Sequence, residues 1–200
     1  MSNSHASGSI QARLIEARDS ILLVVDIQDH FLKQNDGRVA ARVVDRARWL
    51  VQVADWLKVP IIGTAEDVKN RGLTTDRVRS VFPPGAPDLN KMVFGLAGQP
   101  DILQAVEACK RKTAILLGME TDVCVQHSAF GLLQLGYNVA VIEDAMASPT
   151  GHAYGLDRMR AAGIAILSSK GLFYEWMRDL DTVQRFWRES GVPPPTDLIL

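Results

Sequence analysis

Short, unbroken apolar runs alternate along this chain with longer stretches whose apolar residues recur every three or four positions. Residues 21–26 read ILLVVD, a branched run ended by an acid. Runs of this length without polar alternation suit strands that are covered on both faces, as in parallel sheets. Similar runs lie at 60–64, 113–118, 137–143 and 163–168, with a weaker one at 90–93. Between the first two, Val43, Val44, Ala47, Leu50, Val51, Ala54 and Leu57 mark one buried face of a helix over 41–58. Helices are also predicted over 101–110, 121–135 and 152–162, with a C-terminal helix or helix pair over 172–189. Thr121 or Asp122 can cap the helix at 121, and Gly136 stands where a C′ glycine belongs. Trp49 and Trp56, seven apart on one side of the first helix, serve either core or interface.

This alternation predicts an α/β fold with a mostly parallel sheet and right-handed crossovers that place helices on both faces. In such sheets ligands bind beyond the carboxyl ends of the strands. The search for chemistry therefore narrows to the residues just past those ends. Residues 66–90 form the longest stretch without a strong pattern and read as a rim or lid. The chain of 200 residues fits one domain over 9–190. Residues 1–8 read as a loose N-terminus, and 191–200, with Pro193, Pro194 and Pro195, as a stiff tail suited to packing on a neighbour.

Composition removes several functional classes. The apolar share of 47% and charged share of 22% are ordinary for a globular chain, and the net charge of −1 offers no basic surface to nucleic acid. No apolar run approaches the ~18 residues of a membrane span. Cys109 and Cys124 are too few for a disulfide framework, which points to a reducing, cytoplasmic setting.

Three residues at predicted strand ends carry chemistry. Cys124 lies at the turn from the run at 113–118 into a helix, where unpaired backbone N–H groups and the helix dipole favour thiolate and could hold an oxyanion. The competing reading is a small core residue, which is the better one for Cys109, on the helix before that strand. Asp26, directly after ILLVV, would be partly desolvated and so a better proton acceptor; it could equally cap the following turn. Lys91, after the Pro-rich loop, could hold the aspartate and stabilise negative charge, or simply be solvated. Phe31, Phe94 and Glu66 are pocket candidates by position. Glu66 and Asp67 also read as solvated loop acids, and His127 and His30 as surface or interface histidines.

The segments ILLVVDIQDHF, NKMVFG and GMETDVCVQHSAFGLLQLGYNVAVIEDAMAS resemble the isochorismatase-like cysteine hydrolases over about residues 21–173. The most specific part is 118–148. The resemblance implies a doubly wound, six-stranded parallel sheet of order 3-2-1-4-5-6 and an Asp–Lys–Cys triad on Asp26, Lys91 and Cys124. It also implies a cis peptide between Met119 and Glu120, and an oxyanion hole from backbone N–H groups near Glu120 and at Cys124. Met119-Glu120-Thr121-Asp122-Val123-Cys124-Val125 is similar to the signature of a branch of small hydrolases. Asp122 stands where that branch commonly has His.

The nicotinamidases of this family carry a metal site with an Asp-x-His pair and a further His after the second strand. The matching stretch here, residues 64–70, has no histidine. No metal and no cofactor are expected. The resemblance implies hydrolysis of a C–N bond of a small molecule through a cysteine thioester. A thiol-independent vinyl-ether hydrolase and a non-catalytic oligomeric binding protein of the same fold are the alternatives. A homo-oligomer, dimer or tetramer, is expected; a monomeric light-scattering profile would overturn that.

Overall fold

The computed structural model describes residues 13–200. The expected N-terminal segment 1–8, and the first positions of the expected domain, lie outside the described residues. Six parallel strands form one sheet in the order β3-β2-β1-β4-β5-β6. They are β1 (Ser20–Val25), β2 (Ile61–Glu66), β3 (Asp88–Lys91), β4 (Thr113–Met119), β5 (Asn138–Ala147) and β6 (Ala165–Leu167). The helices are α1 (Asp29–Leu32), α2 (Gly37–Trp56), α3 (Val68–Arg71), α4 (Asp76–Arg79), α5 (Pro100–Ala108), α6 (Gln126–Gln134), α7 (His152–Ala161), α8 (Ser169–Met177) and α9 (Leu180–Ser190). This is the doubly wound α/β architecture expected from the pattern, with the strand order expected from the resemblance.

Every residue of β1 and β4 is buried, which is why both read as continuous apolar runs. Their side chains alternate between two cores. On one face Leu22, Val24, Ile115 and Leu117 meet Trp49, Leu50, Phe173 and Phe186. On the other Ile21, Leu23, Val25, Leu116 and Val141 meet Ile102, Val106, Ala129, Leu132 and Met159. Trp49 is buried against Phe173, while Trp56 is half-buried, edge-on to Phe186, and donates to Glu189 Oε2 at 3.2 Å.

Three expectations are corrected. β2 runs on to Glu66 rather than stopping at Thr64, because Gln28 pairs with its last backbone groups: Glu66 N donates to Gln28 Oε1 at 2.8 Å, and Gln28 Nε2 to Glu66 O at 2.9 Å. The 66–90 stretch is not a plain loop, since it carries α3 and α4. No side chain caps the turn after β4: Thr121 Oγ1 instead lies 2.8 Å from His152 Nδ1. The Pro-rich tail also contacts its own chain, where Asp197 pairs with the buried Arg46 at 2.8 Å and Lys170 Nζ donates to Ile199 O at 2.6 Å.

Candidate active site

The register of the sheet brings distant residues to one spot. Glu66 and Lys91 are register partners on β2 and β3, and Val25, which precedes Asp26, pairs with Thr64 on one side and Gly118 on the other. The carboxyl ends of β1, β2, β3 and β4 thus converge. Gly118, with φ +125°, permits this approach: a Cβ there would lie 1.9 Å from Val25 O. Asp26 leaves β1 with φ 49°, a left-handed conformation that aspartate tolerates better than most residues, and its N–H donates to Thr64 O at 2.9 Å. The Met119–Glu120 peptide, at the end of β4, is cis.

Beyond it the chain makes one wide turn, Thr121–Val125, before α6 begins. The turn winds around the carbonyl of Glu120, which accepts from the N–H groups of Val123 and Val125, both at 3.1 Å. Cys124 sits on this turn and points at the strand ends. Ser128 fastens it, donating to Cys124 O at 2.6 Å while accepting from Leu96 N at 3.0 Å.

The result is a polar cluster in a dry place. Asp26 and Lys91 are fully buried, and Cys124 and Glu66 are 3% and 8% exposed. Lys91 Nζ lies 2.8 Å from Asp26 Oδ2, 3.5 Å from Cys124 Sγ and 3.6 Å from Glu66 Oε2, and donates to Val93 O at 2.8 Å. Thr64 Oγ1 donates to Asp26 Oδ1 at 2.9 Å. The Cys124 thiol donates to Glu66 Oε2 at 3.2 Å, and the other oxygen of Glu66 pairs with Arg71.

Burial sets the protonation preferences. It raises the Asp26 carboxyl above its ordinary range, and Lys91 and Thr64 offset this only in part. Burial alone would lower Lys91, but the charges of Asp26, Cys124 and Glu66 outweigh it and hold the ammonium above the usual lysine value. The Cys124 thiol is pushed well up, by burial first and then by the charge of Asp26, with Lys91 opposing. This reverses the expectation from the helix start. Desolvation and the neighbouring Asp26 and Glu66 favour the neutral thiol, against the pull of Lys91. Glu120 is also raised, by burial and then by Asp122 and Glu66.

The cluster includes three potential metal ligands: one ligand atom each from Asp26, Glu66 and Cys124 lie within 4.8 Å of one another. Lys91 Nζ stands among them and supplies the positive charge that a cation would bring.

The three residues singled out at strand ends come together here. Glu66 is the residue whose importance the sequence understated. With β2 ended two residues early it read as a loop acid; two more residues of strand turn it inward. Phe31 is buried beside the site, its ring under the Arg71 guanidinium at 5.3 Å. Phe94 lies apart from the cluster, more than half exposed and edge-on to the exposed His127, because β3 ends at Lys91 and residues 92–94 turn to the surface. Asp122 also points away, packed against Gly151 and Gly155 at the start of α7, where a Cβ on Gly151 would collide with its carboxylate. Cys109 is half-buried and donates only to Ala105 O at 3.3 Å.

Comparison with known proteins agrees with this frame. The isochorismatase domain family matches residues 20–171. Isochorismatase domain-containing protein 2 of Xenopus laevis is 29% identical over 168 residues, covering 81% of this chain and 78% of the relative. Among solved structures, MAR1 ribonuclease from Caenorhabditis elegans superposes with a TM-score of 0.79 at 25% identity, over 93% of this chain and 100% of that one. N-carbamoylsarcosine amidase from Thermoplasma acidophilum superposes with a TM-score of 0.62 at 20% identity, over 76% of this chain and 96% of that one. Among the described residues, no helix is long and apolar enough to cross a membrane.

Proposed function

The chain belongs to the isochorismatase family, and we propose that it is a cysteine hydrolase that cleaves a C–N bond of a small amide-type molecule. One observation carries this reading: a buried thiol lies within reach of an ammonium and two carboxylates at the carboxyl ends of the strands. A neutral thiol is a poor nucleophile, so the site must remove its proton as the attack occurs. In this reading Cys124 Sγ bonds to the substrate carbonyl carbon while its proton passes to Asp26. The carbonyl electron pair moves onto oxygen, where backbone N–H groups near Glu120 and at Cys124 meet it. The tetrahedral species collapses, the C–N bond breaks, and the amine leaves with the proton from Asp26. Water then cleaves the thioester and restores the thiol. Lys91 holds Asp26 in place and supplies positive charge beside the developing anion.

The fold is shared with an amidase and with a protein named a ribonuclease. The charge of this site favours the amide reading. The thiol is ringed by Asp26 and Glu66, with Glu120 nearby, and a phosphodiester would bring further negative charge toward these carboxylates. A vinyl-ether hydrolase would leave Cys124 without a task.

The test is Cys124→Ala against a panel of small primary amides and carbamoyl compounds. Turnover by the parent protein is expected to fall to background in the variant, with the fold intact by circular dichroism. Full turnover without the thiol would sink the mechanism.

A further inference from the structure

The reaction above leaves one carboxylate unused. Glu66 touches the nucleophile, and it is held with unusual care: its backbone N–H and C=O are both bonded to Gln28, and its Oε1 to Arg71. Only Oε2 is directed at the reacting sulfur, at 3.2 Å. We propose that Glu66 is the general base of the second half-reaction, the group that deprotonates the water attacking the thioester. The inference rests on the cysteine-hydrolase reading and divides its two steps between two carboxylates.

In the resting protein, Oε2 accepts the thiol hydrogen. Once Sγ carries an acyl group, that hydrogen is gone. Oε2 has then lost its closest donor and keeps only the more distant Lys91 Nζ at 3.6 Å. A buried carboxylate oxygen without a close donor is costly, and a water molecule is the donor that fits. Water bound to Oε2 lies beside the sulfur and so within reach of the carbonyl carbon bonded to it. Asp26 is poorly arranged for this task. Its Oδ1 accepts from Thr64 Oγ1 at 2.9 Å, its Oδ2 lies 2.8 Å from Lys91 Nζ without an aligned hydrogen bond, and the fully buried residue gives water no way in. Glu66 is the outer carboxylate, and its partner Arg71 is 32% exposed, so water enters from the Glu66 side.

The step balances. The water oxygen bonds to the thioester carbon as one water proton moves to Glu66 Oε2, and the carbonyl pair moves onto oxygen. As the carbonyl re-forms, the C–S bond breaks. The departing sulfur takes the proton from Oε2, which recreates the resting hydrogen bond.

The experiment uses p-nitrophenyl acetate, an activated acyl donor that reports acylation as nitrophenolate and requires no knowledge of the natural substrate. Glu66→Gln keeps the shape and an oxygen for Arg71 but no longer takes a proton. It is expected to release a burst of one nitrophenolate per Cys124, followed by steady turnover reduced about 10²–10⁴-fold, the usual contribution of general acid–base catalysis. Peptide mapping should find Cys124 acetylated. Hydroxylamine, which attacks thioesters without a base, should restore turnover, and Glu66→Asp should retain part of it. A burst and a steady rate that fall together would overturn the inference, as would Glu66→Gln turning over like the parent protein. If the parent protein itself never acetylates Cys124, the cysteine-hydrolase reading fails and takes the inference with it.

Discussion

Two buried ionic groups sit at the carboxyl end of the same sheet, built from similar residues toward opposite ends. In the first, Arg46 on α2 pairs with Asp144 at 3.1 Å and Asp197 at 2.8 Å, while Ser169 donates to Asp144 from its backbone N–H at 2.7 Å and its hydroxyl at 2.6 Å. Short, directed bonds meet both oxygens of Asp144, and the set ties α2, β5, α8 and the C-terminal tail together. In the second, Lys91 stands among Asp26, Glu66 and Cys124, and two of its four polar contacts are stretched to 3.5 and 3.6 Å. Acceptors outnumber donors, and the thiol hydrogen has more than one place to go. A saturated network fixes structure; an unsaturated one keeps a mobile proton. In the proposed mechanism, the first group stabilises the fold and the second gives up stability to hold a reactive arrangement.

The largest test of this contrast exchanges each central cation for an isosteric apolar residue. Arg46→Met leaves the Asp144 carboxylate its two bonds from Ser169 but no counter-charge, and breaking a buried pair in this way costs about 3–5 kcal/mol. Urea unfolding should show that loss, while turnover per folded molecule stays unchanged. Lys91→Met should remove turnover altogether and also lower stability, because Asp26 and Glu66 then face each other without the ammonium. Adding Asp26→Asn should recover part of that stability and none of the turnover. Loss of turnover in Arg46→Met at unaltered stability would break the division of roles.

A smaller effect separates the groups by the sign of their titration. Asp26 is raised by burial, so in the acid range the folded chain holds this proton more tightly than the unfolded chain does. More protons on the folded state means that the free energy of unfolding falls as pH rises from the ordinary aspartate value through the raised one. Asp197 is lowered by its bonds to Arg46, so the unfolded chain holds that proton more tightly. Its stabilisation is present above the ordinary value and is lost as pH falls through the lowered one. Asp88 is raised as Asp26 is, so the informative quantity is the difference between parent and variant. Subtracting the Asp26→Asn curve from the parent curve should leave a contribution that declines with rising pH. An Asp26 contribution that rises with pH would show that ion pairing, not burial, governs this carboxylate.

The two groups also differ in how visible they are in sequence. Asp26, Lys91 and Cys124 stand out because each follows an apolar run, and a parallel sheet forces the ends of its strands together. The apolar runs themselves are legible because β1 and β4 are covered on both faces, and past their first residues, Ser20 and Thr113, they carry no polar side chain. Glu66 is obscured because β2 is extended by Gln28, a partner 38 residues away whose role no local pattern announces. The Arg46 group is hidden altogether. Its ion pairs span 98 and 151 positions, and Arg46 sits in a helix whose periodicity shows only that its neighbours are apolar. Sequence periodicity reports which side of an element is buried, not which charged residue elsewhere in the chain meets it there. The upward push on Cys124 is hidden for a related reason: the helix start is local, whereas the carboxylates that oppose it come from the ends of β1 and β2.

The smallest predicted effect bears on the tail. Asp197 is 62% exposed, and water screens its pairing with Arg46, which limits the pair to about 0–1 kcal/mol. Asp197→Asn should therefore shift the unfolding midpoint only slightly, far less than Arg46→Met, although both substitutions break the same ion pair. The asymmetry arises because Arg46 and Asp144 are the buried members and stay paired when the tail lets go. The loosened tail should show in faster backbone hydrogen exchange over residues 193–200, where Leu198 and Leu200 pack against the α2 side of the core. Turnover should not change. A stability loss from Asp197→Asn as large as that from Arg46→Met would mean that the tail closes the network rather than resting on it.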